Sequence, residues 1–156
     1  MYTRRLELLA DWLIVAGGIG LFISLFLTWT HQFGAPLLAQ FAASSQLQGI
    51  PHNPTAWQVY SAADVLLALL SLALILIALV GGRRSRIGAL VASAIALAFA
   101  LHELSKPPTN GANIFDPSLS VPGYFPVGAT AGPGITVAIA ALGVALIGLA
   151  LSFTAD

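Results

Sequence analysis

The sequence predicts an all-α membrane protein: four transmembrane helices in one bundle, with two extended extracytoplasmic segments. Three observations predict it. Of the 156 residues, 58% are hydrophobic and 8% are charged, and the mean hydropathy is +0.90, well above that of an ordinary water-soluble domain. The apolar residues gather into four blocks, each of roughly the 20 residues that cross a bilayer core. The arginines lie in two places only, Arg4 and Arg5 before the first block and Arg83, Arg84 and Arg86 between the second and third. No stretch is left for a separate folded domain, so residues 1–156 read as a single transmembrane unit.

Span one is expected over about residues 8–29, from Leu8 through Trp12-Leu13-Ile14-Val15 to Trp29. At 1.5 Å per residue this reaches about 33 Å, enough to cross. Arg4 and Arg5 precede it as in a signal peptide, but the apolar core exceeds the roughly 7–15 residues of a signal h-region, and the segment is expected to be retained. Span two is expected over about 61–81, with its apolar run from Val65 to Val80. Two starts are compatible with the sequence: Asn53 capping a helix that opens on Pro54, or Ser61-Ala62-Ala63-Asp64 with the spacing of a capping box. Gly81-Gly82 ends it, and the arginine turn leads into span three, about 86–104, so that spans two and three form an antiparallel hairpin. Span four, about 135–153, follows the breaker-rich Ala131-Gly132-Pro133-Gly134.

The positive-inside rule places both termini and the arginine turn in the cytoplasm, and the expected location is the plasma (inner) membrane. The inner side then carries five arginines against Glu7, Asp11 and Asp156, and the outer side Lys106 against Asp64, Glu103 and Asp116, net charges of +2 and −2. The outer loops are about 30–60 and 105–134. The first contains Pro36 to Ala43, an amphipathic pattern suited to the membrane surface. The second has five prolines between Lys106 and Pro126, which oppose regular structure. It also carries Ile114, Phe115, Leu119, Tyr124 and Phe125, and is expected to fold over the bundle or onto a partner. Trp29, Trp57 and Tyr60 are expected in an aromatic belt at the headgroup level.

Small residues recur four apart in span three, at Gly88, Ala92, Ala96 and Ala100, and are expected to form a helix-packing ridge. Ala16 with Gly20 and Ala141 with Ala145 repeat the pattern in shorter form.

Three groups invite a chemical reading. Asp64 and His102, with Glu103 beside it, fall at nearly the same height in the hairpin and form an outer-interface polar cluster, because ionisable groups at that depth turn away from lipid. Such a pair can relay protons, histidine being the side chain that changes charge near neutral pH. The competing reading is structural, Asp64 steadying a helix N-terminus and His102 a C-terminus. His31, His52 and His102 with Glu103 are the candidate metal ligands, imidazole plus carboxylate suiting zinc or copper. None of the histidines is spaced i, i+3 or i+4 from another, so no metal site and no cofactor is expected. Asp11, with Arg4, Arg5 and Glu7, reads as interfacial charge. Ser24, Ser71 and Ser93 can bond their own helix carbonyls. Net charge zero leaves no basic surface for nucleic acid. The absence of cysteine excludes disulfides, thiolate metal sites and thiol nucleophiles. No phosphate loop, Ser-His-Asp order or H-E-x-x-H occurs, and no enzyme activity is expected.

Ser24-Leu25-Phe26-Leu27-Thr28-Trp29 and Thr55 through Leu67, with Ala56-Trp57 and Asp64-Val65-Leu66-Leu67, resemble a group of small four-helix membrane proteins of actinobacterial type. There a "SLFLPWY"-like end is followed by an "AWxxFxxxDVLL"-like start. The resemblance covers about the first half of the chain. It implies the four-span topology and a role for Trp29, Trp57 and Asp64, but no reaction. Thr28 stands where that pattern has proline, which leaves the path out of span one open.

The expected function is that of a structural or accessory membrane protein, embedded in the lipid bilayer and packing against other membrane subunits or itself. The alternatives are a small transporter, channel or proton-coupled component using Asp64 and His102, and an outer-face metal- or quinone-binding protein.

Overall fold

The computed structural model of the chain describes residues 2–31, 61–105 and 130–154. They form helices α1 (Tyr2–Ser24), α2 (Ser61–Val80), α3 (Arg83–Ser105) and α4 (Pro133–Thr154), with two short strands, β1 (Thr30–His31) and β2 (Thr130–Ala131). All four helices are long and apolar enough to cross a membrane. The amphipathic stretch 36–43, the possible start at Pro54 and the proline-rich loop lie outside the described residues.

The helix ends differ from the hydropathy blocks. α1 takes in Arg4, Arg5 and Glu7, and α3 begins at Arg83, so the arginines are the outermost turns of helices and not a connecting loop. Arginine is a good helix former, and nothing stops the backbone from continuing where apolarity ends. Gly81 and Gly82 alone separate α2 from α3, and the Gly82 carbonyl accepts from the Arg86 amide at 3.1 Å and from Ser85 Oγ at 2.7 Å. At its other end α1 stops five residues short of Trp29.

Packing runs in a ring. The most extensive contact is α1 on α4, followed by α1 on α2 and α3 on α4; the α2–α3 contact is the smallest of the four around the ring despite the tight turn between them. Gly17 decides how close α1 and α4 come. A Cβ there would stand 2.6 Å from Ala145 Cβ and 2.7 Å from the Ala141 carbonyl oxygen, so only hydrogen fits. One turn further along α4 the relation reverses, and a Cβ on Gly148 would stand 2.8 Å from the Ala10 carbonyl oxygen. Contact positions rise along α1 as they fall along α4, so the two helices are antiparallel.

The apolar interior is aliphatic apart from Trp29. One buried cluster joins Leu21, Leu25 and Trp29 to Leu67, Ala96, Ala100, Ile135 and Leu142, and a second joins Ile14 to Leu74, Ala89, Ala145 and Leu149. Large apolar side chains face outward as well: Trp12 is 71% exposed, Leu66 68% and Val80 88%. Large apolar side chains thus lie on both sides of the bundle, an outer surface that water would oppose.

The expected ridge on α3 is corrected. The buried residues of α3 are Ala89, Ser93, Ala96 and Ala100; Gly88 and Ala92 are exposed, and a Cβ on Gly88 would meet nothing within 4 Å. Residues four apart advance about 40° past a full turn, so Gly88 and Ala100 differ by about 120° and cannot face one neighbour. The true stripe alternates steps of four and three. In α1, Ala16 is likewise exposed, and Gly17 makes the close approach to α4.

Candidate functional site

At one end of the bundle the exit of α1 and the start of α4 are fastened together. The last turn of α1 tightens, Leu25, Phe26 and Leu27 amides bonding three residues back to Phe22, Ile23 and Ser24 carbonyls. Trp29 then folds under the helix end. Its indole Nε1 donates to the Ser24 carbonyl at 2.7 Å, and Trp29 is fully buried. Both facts correct the expectation of a headgroup-facing tryptophan; the other two aromatics of that belt, Trp57 and Tyr60, lie outside the described residues. The Thr28 carbonyl accepts from the Gly134 amide and the Trp29 carbonyl from the Gly132 amide, each at 2.7 Å, and the chain continues into the antiparallel β1–β2 pair, Thr30 opposite Ala131 and His31 opposite Thr130. A Cβ on Gly134 would collide with Trp29 Cδ1 and lie 2.8 Å from its Nε1, and one on Gly132 would meet the Thr28 carbonyl oxygen. Glycine is therefore what lets α4 begin against the tryptophan. Thr28 lies in this extended exit.

Asp64 belongs to the same end. It sits in the first turn of α2, favourable for an acid beside a helix N-terminus, and is fully buried. Its position continues the inward stripe of α2, since Leu67, Ser71, Leu74 and Ala78 below it are all buried. His102, in the last turn of α3, is exposed. It stands about 200° around the helix from Ala100, whereas half-buried Glu103 lies close to the inward face. Asp64 and His102 thus sit in different environments, and no ion pair joins them. The four candidate metal ligands do not assemble in what is described: His52 lies outside the described residues, His31 lends its backbone to β1, and no group of three or more His, Cys, Asp or Glu there is placed to hold a metal.

The opposite end carries an ion pair that sequence reasoning missed. Arg86 of α3 donates to Asp11 Oδ1 of α1 at 2.9 Å, 75 residues apart. The two side chains are 19% and 32% exposed. They tie together helices that otherwise barely touch. Around the pair lies a cleft of about 300 Å³, bordered by Glu7, Arg83 and the Gly81–Gly82 turn, with Ser152 of α4 on its wall. Because the pair is about a third open to its surroundings, Asp11→Asn and Arg86→Gln should each lower stability, with a coupling of about 1 kcal/mol in a double-mutant cycle read by thermal unfolding in detergent. Strict additivity would mean that the pair contributes nothing.

No family model matches the chain, and neither a curated protein nor a solved structure does. The site therefore has to be read from its own geometry. Ser24, Ser71 and Ser152 each donate to the carbonyl three residues back, within their own helices. Ser93 is the exception, its hydroxyl buried with no hydrogen-bond partner among the described residues. Charged groups lie toward the two ends of the bundle, and the helix middles bury alanine, leucine, isoleucine, serine and glycine.

Proposed function

We propose that the chain is an integral membrane protein of structural or accessory kind, which acts by packing against other membrane subunits or a second copy of itself and catalyses no reaction. The arginine end lies in the cytoplasm and the clasp end outside, as the arginine distribution favours, in the plasma membrane. The observation that carries this reading is the outward face of α3. This helix is the least covered of the four, 22% buried against 44% for α4, and it exposes Gly88 and Ala92 with open space beside the glycine. Lipid tails give helices no hydrophobic reason to associate, so close backbone approach across small residues is a main source of attraction in a bilayer. Packing within the middle of the bundle, without a file of polar groups, also suits a scaffold better than a carrier.

Affinity purification in mild detergent, with mass spectrometry of what is retained, tests it. The wild type should bring down a membrane subunit or a second copy. Gly88→Leu should lose it while keeping the bundle's own thermal stability. A monomer with no retained subunit, unchanged by the substitution, would contradict the reading. A second reading, a proton-coupled component or small transporter, is favoured by the full burial of Asp64. It predicts that Asp64→Asn leaves assembly intact and abolishes a pH-dependent flux in reconstituted vesicles.

A further inference from the structure

We propose that the cleft at the arginine end holds the headgroup of a zwitterionic phospholipid, one bearing a phosphate and a primary ammonium. The inference rests on the membrane reading above. Of the four charged residues bordering the cleft, Asp11 and Arg86 are committed to each other at 2.9 Å. Glu7 and Arg83 remain, both exposed and without a charged or hydrogen-bonding partner among the described residues. Among the described residues the cleft thus offers one unpaired anion and one unpaired cation. A phosphate meets the Arg83 guanidinium, whose planar fork matches phosphate oxygens, and an ammonium donates to the Glu7 carboxylate. Gly82 leaves room for this, since a Cβ there would meet nothing within 4 Å.

The surroundings say that the headgroup arrives on a lipid. Next in sequence to the cleft's Gly81–Gly82 turn and Arg86, Leu79 is 70% exposed, Val80 88% and Ile87 49%. Acyl chains have an apolar surface directly below the polar one. A headgroup with net negative charge would meet Glu7 unfavourably. A choline headgroup has no N–H to give it. One charge-assisted hydrogen bond corresponds to a preference of about tenfold.

The test uses the full chain, delipidated in maltoside detergent, with native mass spectrometry of dihexanoyl phosphatidylethanolamine, phosphatidylcholine and phosphatidylglycerol, and with free phosphoethanolamine in parallel. The ethanolamine lipid should be retained about tenfold better than the other two, and free phosphoethanolamine should bind weakly. Glu7→Gln should erase the preference, and Arg83→Gln should weaken all three lipids, while Arg84→Gln controls for net charge. Equal retention of the three lipids by the wild type, or a preference untouched by Glu7→Gln, would overturn the proposal. Tight binding of phosphoethanolamine alone would show a soluble ligand in place of a lipid. Alkaline carbonate extraction separates the two readings. A chain that washes off the membrane defeats the membrane reading, and one that stays without an ethanolamine preference defeats this proposal alone.

Discussion

Gly17→Leu should be the most damaging single substitution in the middle of the bundle. The position lies between Ala145 and the Ala141 carbonyl, where even a Cβ would come within 2.7 Å of three atoms of α4. A branched side chain must push α1 off α4, the largest helix contact in the fold. The expected loss is about 3 kcal/mol, the upper end of what overpacking costs. Gly88→Leu is the matched control, the same change at a glycine facing open space, and should shift stability by no more than about 0.5 kcal/mol. Thermal unfolding of the two variants in detergent measures the difference. Equal stability would mean that α1 and α4 are not held at this distance.

Trp29→Ala should be comparably severe, by a different route. Trp29 is fully buried in the cluster formed by Leu25, Leu67, Ala100 and Ile135, and truncating a buried tryptophan costs about 3–5 kcal/mol. Its loss also removes the surface against which Gly134 starts α4. Trp29→Phe separates packing from hydrogen bonding. It keeps most of the ring and gives up the Nε1 bond to the Ser24 carbonyl. That oxygen still accepts from the Leu27 amide at 3.2 Å, so the cost should be about 1 kcal/mol. If the phenylalanine variant were as unstable as the alanine one, the indole hydrogen bond would be the main contribution.

The four long apolar helices were legible because length and apolarity suffice to find them. Which side of each helix faces its neighbour was not. A four-residue repeat of small side chains drifts around the helix, so Gly88 and Ala92 followed the pattern yet turned away from the bundle, while Ala89 and Ser93 turned inward. The same geometry separates Glu103 from His102, adjacent in sequence and about 100° apart in direction. Counting residues from the arginine turn gave Asp64 and His102 equal height but carried no information about rotation. Asp11 and Arg86 are 75 residues apart, and only the packed arrangement brings them together. Trp29 follows a long apolar helix, where a headgroup role is the ordinary expectation. Its burial depends on Gly132 and Gly134, a hundred residues later, whose absent side chains marked a breaker but not what would approach it.

The membrane-embedded bundle is tested most directly by single cysteines in this cysteine-free chain. Four sites serve: Ser85 at the arginine end, Thr130 at the clasp end, and Leu69 and Val91 on the outer faces of α2 and α3. Leu69 and Val91 are 57% and 52% exposed in the folded chain, so lipid, or on α3 a packed membrane subunit, has to hide them. In intact cells an impermeant maleimide should label Thr130→Cys alone, and Ser85→Cys should react after permeabilisation, with Leu69→Cys and Val91→Cys unreactive until detergent is added. Labelling at Leu69 and Val91 in permeabilised cells without detergent would contradict the account, because it would place these apolar faces in water.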